Sequence, residues 1–429
     1  MSGKTGRASS FRQVRGVGLR VAGNVAEFGG YVLLARSLGP SSFGRISVLL
    51  VIVRFVALAC DRGVAYAGTR EVAGRGADSP AIWAWQRRRE SWSLAGTALV
   101  ALATVAIGWP ELAPMALGVF ARGASREWIA TGQNRLEIAA VPSLVHGAGI
   151  VAGVLAVDRI VAGGTTDSSA SLIIGAAALL WYATSVAINP APRGHRSTAG
   201  APAGGHGQVA IFAENLIISL DVVLLAWLVN DRETGIYAAM LRFPNALSLV
   251  LWLSITAAVP RVVALARHGG AHDAELRRRC MRLSALLGIG TAAGGAAIAT
   301  LAVTVFGEEY RDGRSALALL LIGSVALALS APFRTLQLVA GDDSGVARVS
   351  VIIAAFTLTG FVVTIPIWGM NGAAACSAAS QVAFLAFFWA NTRRGAATAQ
   401  TVTAQTAQTT PASPTGTGER RTVTDPATA

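Results

Sequence analysis

Residues 28–76 read FGGYVLLARSLGPSSFGRISVLLVIVRFVALACDRGVAYAGTREVAGRG. An apolar run ends at Arg36, a short polar turn with Gly39 and Pro40 follows, and a second apolar run extends to about Cys60. Gly-Pro-Ser-Ser is typical of a turn, because Pro presets φ and Ser hydrogen bonds its own backbone. Two runs long enough to span a bilayer, joined by so short a turn, predict a transmembrane helical hairpin.

A similar pattern occurs in the second half of the chain. Residues 224–253, LLAWLVNDRETGIYAAMLRFPNALSLVLWL, contain a short polar turn that is followed by Gly235. Aligning Gly44 with Gly235 also puts Asn24 beside Asn215. We expect an internal repeat from this match, and internal repeats are common in transporters.

The composition indicates an integral membrane protein. Hydrophobic residues make up 53% and charged residues 14% of the 429 positions, whereas soluble proteins carry about 25% charged residues. The net charge of +13 is explained by arginines in cytoplasmic loops that meet anionic membrane lipid, rather than by nucleic acid. The three cysteines are widely spaced, so we expect packing roles and neither a disulfide framework nor a metal site.

Counting apolar runs of 17 to 25 residues predicts about twelve transmembrane helices. The predicted spans are 17–36, 43–62, 91–108, 113–130, 137–157, 169–189, 208–229, 235–259, 282–305, 314–338, 348–368 and 370–391. Arginines concentrate in every second connection and after the last span, while the opposite connections are short and nearly neutral. The positive-inside rule therefore predicts that both termini are cytoplasmic.

The same pattern divides the chain into five parts. We expect a basic cytoplasmic tail at 1–16, a six-helix bundle at 17–189, a flexible cytoplasmic linker at 190–207, a second six-helix bundle at 208–391 and a disordered cytoplasmic tail at 392–429. The linker is rich in Pro, Gly and Ala, and the last segment has too few apolar residues to bury a core.

The hairpin segment LLARSLGPSSFGRISVLL, with DRGVAYAGTREVAGRG behind it, resembles the first hairpin of bacterial polysaccharide exporters. These are oligosaccharide-lipid flippases of the multidrug/oligosaccharidyl-lipid/polysaccharide superfamily. The segment SLDVVLLAWLVNDRETGIYAAMLRFPNALSL and the later AAVPRVVAL look like the seventh and eighth helices of that family, and Gly369, Gly372, Ala373 and Ala374 resemble the entry to its twelfth.

The resemblance implies a fold and a mechanism. The fold would be an all-α membrane protein with two six-helix bundles around a central cavity, which helices one, two, seven and eight mainly line. The bundles would rock between inward-open and outward-open states.

Charged residues inside the predicted spans are the first candidates for a binding site, because a charge within a bilayer costs at least about 2.5 kcal/mol. The helices that line the family's cavity contain Glu27, Arg54, Glu214, Asp221 and Arg242. Arg54 and Arg242 would bind the diphosphate of a polyprenyl-linked sugar. Glu27 and Asp221 would balance those charges or take up a proton or cation. Structural ion pairs between helices are the alternative.

Four further residues belong to the predicted cavity. Arg122 and Arg126 are four residues apart and would share one helix face, where they extend the basic lining or reach the cytoplasmic surface. Asn24 and Asn215 would bind substrate hydroxyls or hydrogen bond between helices. A packing role is the simpler reading of His146, with a proton relay as its alternative.

These residues predict a transporter, with no catalytic residue, cofactor or metal. The main hypothesis is a flippase for a polyprenyl-diphosphate-linked oligosaccharide in a bacterial cytoplasmic membrane, with a polysaccharide polymerase as a candidate partner. A cation-coupled multidrug exporter of the same superfamily is the alternative. An integral-membrane sugar polymerase or glycosyltransferase is the third, but such enzymes need a carboxylate cluster or a large loop.

Overall fold

A computed structural model of the chain describes residues 3–76, 80–161, 164–190, 206–248, 251, 274–339 and 343–409. Within these ranges the backbone is almost entirely helical and contains no strand. This agrees with a chain that spans a membrane, because a helix satisfies its backbone hydrogen bonds internally where no water is present.

The first half contains nine α-helices in its described residues. The continuous segment Gly3–Asp61 is broken at Gly39, and we name its two parts α1 (3–38) and α2 (40–61). The others are α3 (Val64–Arg75), α4 (Pro80–Ala106), α5 (Leu117–Ala124), α6 (Glu127–Gly132), α7 (Leu136–Ala139), α8 (Val141–Ile160) and α9 (Asp167–Ile188), with a 3-10 helix at Pro110–Ala116.

The second half has six α-helices in its described residues. They are α10 (His206–Leu228), α11 (231–248), α12 (Ala274–Phe306), α13 (Arg314–Val339), α14 (343–368) and α15 (370–409), with a 3-10 helix at Glu308–Gly313. The last two come from the segment Asp343–Thr409, which is broken at Gly369.

Gly39 and Gly369 each interrupt a long helical segment. Gly39 has φ 74° and ψ 173°, and Gly369 has φ 54° and ψ −135°, so both have a positive φ that side chains other than hydrogen disfavour. Six described segments are long and apolar enough to cross a membrane. Two of them, Arg15–Asp61 with 47 residues and Ser344–Asn391 with 48, contain these glycines and form hairpins of two spans each.

The predicted spans match long helical segments with one correction. The span predicted at 113–130 is not one helix, because it begins as a 3-10 helix with Pro110 and Pro114, continues as α5 and is interrupted at Ser125 before α6. Proline removes a backbone donor, and Ser125 has extended backbone angles (φ −54°, ψ 143°). The end of the span predicted at 235–259 lies outside the described residues.

The structure describes helix within parts of both predicted tails. Helix α1 begins at Gly3, within the tail predicted at 1–16. Helix α15 continues to Thr409, within the tail predicted to be disordered, since Ala and Gln favour helix and residues 396–409 contain no Gly or Pro. Residues 191–205 of the predicted linker and residues 410–429 lie outside the described residues.

The largest buried core connects both halves of the chain. It contains Tyr31 and Phe43 from the first hairpin together with Tyr237, Met240 and Phe306 from the second half, all at most 2% exposed. The halves therefore pack directly on each other on one side of the molecule, next to the cavity described below.

Candidate functional site: a basic cavity between the two halves

A cavity of about 770 Å³ lies between the two halves. Helices α1, α2 and α5 line it from the first half, and α10, α11, α13 and α15 line it from the second. A volume of this size is within the range of small-molecule sites, about 300–1,000 Å³.

Five of the eight predicted site residues line this cavity. They are Asn24, Glu27, Arg54, Arg122 and Arg242. The Asn24 side chain donates a hydrogen bond to the carbonyl oxygen of Arg20 at 2.7 Å, within its own helix. The four charged residues come from four helices, α1, α2, α5 and α11, so the fold brings together charges that are far apart in the sequence.

Arg54 and Arg242 face the cavity without an ion pair to a carboxylate among the described residues, although Glu27 interacts with both through space. Arg54 is exposed to the cavity. The guanidinium of Arg242 lies 3.9 Å from the ring centroid of Tyr31, a cation–π contact that leaves its donors available. Both arginines can therefore bind an anion.

Glu27 is the centre of a charge cluster on the first half. Its carboxylate lies 3.6 Å from the guanidinium of Arg122 and 3.9 Å from Nε2 of the buried His146. Arg122 also stacks over Trp181, at 4.7 Å from the ring centroid. Glu27 therefore holds Arg122 in place and lowers the positive charge of the cavity.

Two charged residues that the sequence prediction did not commit to also line the cavity. Arg334 and Glu214 form an ion pair at 2.6 Å, and the hydroxyl of Ser350 donates to Glu214 at 3.3 Å. The apolar residues around each of them in the sequence indicated a charge within the membrane. The sequence did not indicate that the two residues pair between α10 and α13. The described lining thus carries four arginines against two glutamates, a formal net charge of +2.

Asp221, predicted to line the cavity, is fully buried between α10 and α11 instead. It accepts a short hydrogen bond from the hydroxyl of Tyr237 and one of 2.8 Å from the backbone N–H of Val222. The tyrosine hydroxyl satisfies a carboxyl group that has no access to the cavity. Asn215 also lies outside the cavity lining, although it has a partner of its own.

Arg126 lies away from the cavity because the helix is interrupted between it and Arg122. Its guanidinium pairs with Glu90 at 2.9 Å and donates to the carbonyl oxygen of Asn189 at 3.2 Å. The expectation that the two arginines share one helix face required a continuous helix, which the extended backbone of Ser125 prevents. Arg126 therefore fastens α4 to the end of α9.

Three phenylalanine rings pack together at the cavity wall, where Phe28 lines the cavity and the other two lie behind it, and we call them the aromatic floor. Phe28 lines the cavity and packs on Phe243 and Phe306 with ring centroids 5.4 and 6.3 Å away, and the last two rings are 5.5 Å apart. The rings come from α1, α11 and α12. Beyond the floor lie the turns at Gly39 and at 229–230, where the halves meet.

An apolar groove of about 460 Å³ lies beside the cavity, between α10 and α14. Its lining is apolar except for Thr357, whose hydroxyl donates to the carbonyl oxygen of Ile353. Ile217 lines both the groove and the cavity. In addition, Phe212 of the groove contacts Phe55, the neighbour of Arg54, at 6.1 Å between ring centroids.

No family model matches the sequence, and no curated protein matches it significantly. Solved transporters have a similar fold. An inward-facing multidrug resistance MATE family transporter of the MOP (multidrug/oligosaccharidyl-lipid/polysaccharide) superfamily has a TM-score of 0.67 and 13% identity over 89% of this chain and 96% of that one. The multidrug transporter DinF-BH, in complex with R6G, has a TM-score of 0.60 and 15% identity over 92% and 96%.

A third similar structure is a MOP superfamily transporter from Pyrococcus furiosus. It has a TM-score of 0.63 and 12% identity over 90% of this chain and 95% of that one, and is described as having a binding pocket of reverse polarity that suggests a different function. Identities this low establish the fold alone. The chain is a multi-pass, all-α membrane protein with the fold of MATE transporters of the MOP superfamily, which confirms the predicted fold class.

Proposed function

We propose that this protein is a membrane exporter that carries an anionic substrate through the central cavity by alternating access. The observation that carries the proposal is the pair Arg54 and Arg242, which face the cavity from opposite halves without an ion pair to a carboxylate among the described residues. Guanidinium groups bind phosphate and carboxylate oxygens in a planar fork, and these contacts strengthen where water is scarce.

Transport by this route needs no covalent chemistry. The anionic group of the substrate pairs with Arg54 and Arg242, so both halves hold it at once. The aromatic floor and the turns beyond it close one end of the cavity while the substrate enters. Separation of the halves at that end, with closure at the other, then releases the substrate on the opposite side of the membrane.

The comparisons favour a small-molecule exporter, the alternative that the sequence left open. Structures similar to this chain are described as multidrug transporters, and none of those named above is described as a polysaccharide flippase. The positive lining argues against an exporter of cations, because Arg54 and Arg242 would repel a cationic drug. An anionic small molecule fits both observations.

A polyprenyl-diphosphate-linked oligosaccharide is the second candidate substrate. The apolar groove between α10 and α14 supports it, since the groove shares Ile217 with the cavity and has an apolar lining. A diphosphate at the arginines and an isoprenoid tail in the groove would use both sites together. We further propose that the protein lies in a bacterial cytoplasmic membrane with both termini inside, which the distribution of arginines supports.

Binding to the purified full-length protein tests the proposal. The probe is a fluorescent analogue of farnesyl diphosphate, which combines a diphosphate with a short isoprenoid tail. Replacement of either arginine by glutamine (Arg54→Gln or Arg242→Gln) removes charge-assisted hydrogen bonds worth about 1.5–3 kcal/mol, so we expect affinity to fall about tenfold to a hundredfold. Arg311→Gln is the matched control, because Arg311 is 64% exposed and lies outside the cavity lining.

A competition experiment separates the two substrate classes. Inorganic pyrophosphate and unlabelled farnesyl diphosphate each compete with the probe. Equal displacement by the two would indicate that the substrate is a small anion. Weaker displacement by pyrophosphate would indicate an amphiphile whose tail contributes to the binding free energy. Binding of the probe that is unchanged by both arginine substitutions would overturn the proposal.

A further inference from the structure

The turns of the two equivalent hairpins, α1–α2 and α10–α11, touch beyond the aromatic floor. A Cβ atom on Gly44 would lie 2.1 Å from the carbonyl oxygen of Asp231, and one on Gly235 would lie 1.8 Å from the carbonyl oxygen of Pro40. Both distances are far below van der Waals contact with backbone atoms. The halves can therefore approach this closely only with glycine at both positions.

The contact is reciprocal. Gly44 meets the residue four positions before Gly235, and Gly235 meets the residue four positions before Gly44. The alignment of the two halves pairs the same residues, Pro40 with Asp231 and Gly44 with Gly235. Two copies of one surface that meet in this way form a self-complementary contact, as at the two-fold axis of a symmetric dimer.

Among the described residues, one hydrogen bond and part of the buried core also join the halves at this end. The hydroxyl of Tyr310 donates a hydrogen bond of 2.8 Å to the carbonyl oxygen of Ala35. The ion pair between Arg232 and Asp312, at 3.5 Å, is exposed and lies within the second half. Opening this end would separate the glycine contact, this hydrogen bond and the part of the buried core that Tyr31 and Phe43 share with Phe306.

We propose that the reciprocal contact of Gly44 and Gly235 is the latch that closes this end of the protein. When the latch is closed, the aromatic floor seals the cavity beneath it. When the hairpins separate, the two glycines lose contact, the floor divides between α1 and the helices α11 and α12, and the cavity opens at this end. The inference rests on the proposed alternating access, but it requires no particular substrate.

Distances between spin labels across the latch test the inference in the full-length protein without ligand. The labels replace Ser41 and Glu308 (Ser41→Cys and Glu308→Cys), which are exposed and belong to different halves. The three native cysteines are replaced by serine. We expect Gly44→Val and Gly235→Val each to increase the fraction of molecules with a longer distance between the two labels. The two increases should be similar, because the contact is reciprocal.

Two further variants make the test decisive. Gly290→Val is the matched control, because a Cβ atom on this helical glycine has no neighbour within 4 Å. Its spin-label distances should equal those of the labelled protein without a glycine substitution. Tyr310→Phe removes only the hydrogen bond to Ala35 and should give a smaller shift in the same direction, even if the valine variants do not fold.

If the valine variants fold and their spin-label distances are unchanged, the latch proposal is wrong. If the valine variants are unfolded, an unchanged distance distribution in Tyr310→Phe would likewise overturn it. This test does not depend on the proposed substrate. Even if the protein does not bind farnesyl diphosphate, loss of the latch contact should still lengthen the distances between the spin labels.

Discussion

At the scale of single residues, some arginines of the cavity form ion pairs and others are available to bind an anion. Arg122 and Arg334 are held by Glu27 and Glu214, whereas Arg54 and Arg242 form no ion pair with a carboxylate among the described residues. The sequence predicted Arg54, Arg242 and Glu27 at the cavity because charges within a membrane must face water or a partner. It could not predict that Asp221 is satisfied by Tyr237, since that contact depends on how α10 and α11 pack.

Glu27→Gln should strengthen the binding of anions. The substitution removes one negative charge from the cavity and frees Arg122 from its ion pair at 3.6 Å. We expect the affinity for the farnesyl diphosphate probe to rise about fivefold, which corresponds to about 1 kcal/mol of relieved repulsion. Glu308→Gln, at a side chain that is 75% exposed, is the control and should leave the affinity unchanged. Weaker binding in Glu27→Gln would mean that Glu27 itself contacts the substrate.

Tyr237→Phe should destabilise the protein without affecting the cavity. The substitution leaves the buried carboxyl group of Asp221 without its hydroxyl donor, and an unsatisfied buried polar group costs about 1–3 kcal/mol. Thermal unfolding in detergent should show a lower midpoint, while the probe binds as in the unmodified protein. The double variant Asp221→Leu/Tyr237→Phe removes both partners and should recover part of the loss. No recovery would indicate a role for Asp221 beyond this hydrogen bond.

Among the helical elements, the hairpins were predictable and the fourth span was not. The hairpin at Gly39 follows from two long apolar runs around a Gly-Pro turn, a signal that is local in the sequence. The break at Ser125 is stabilised by distant residues, because Arg126 pairs with Glu90 and the hydroxyl of Ser185 accepts a hydrogen bond from the Arg126 backbone. Apolar content alone cannot reveal such tertiary contacts.

Gly39→Ala should destabilise the first hairpin. The backbone of Gly39, with φ 74° and ψ 173°, lies in a region that is essentially restricted to glycine, and a side chain there costs about 1–3 kcal/mol. Gly18→Ala in the same segment is the control, because Gly18 is helical and its Cβ would meet nothing within 4 Å. The control should be neutral or stabilising, since alanine favours helix. Equal unfolding midpoints for the two variants would show that the turn tolerates a side chain.

The whole molecule combines two halves of the chain around one basic cavity. The halves meet through a reciprocal glycine contact at one end, and the charges of both halves line the cavity between them. The match of Gly44 with Gly235 was visible in the sequence, but the contact between their two turns was not. The composition of the cavity was only partly predictable, since Arg126 and Asp221 are as polar as the residues that line it.

The charge distribution predicts the orientation of the molecule in the membrane. In a variant without native cysteines, Ser41→Cys should react with a membrane-impermeant maleimide from outside intact cells, because the first hairpin turn is external when both termini are inside. Arg88→Cys should react only after the cells are permeabilised. Both side chains are exposed, so access depends on the side of the membrane. The opposite labelling pattern would reverse the topology.

Transport by purified protein in liposomes tests the central claim most directly. Fluorescent farnesyl diphosphate and the cation rhodamine 6G are offered separately to the unmodified protein and to Arg54→Gln/Arg242→Gln, with Arg311→Gln as the control. We predict that the unmodified protein and the control move the diphosphate and that the double variant does not. Movement of rhodamine 6G alone, at a rate that the arginine substitutions do not change, would contradict the account and indicate an exporter of cations.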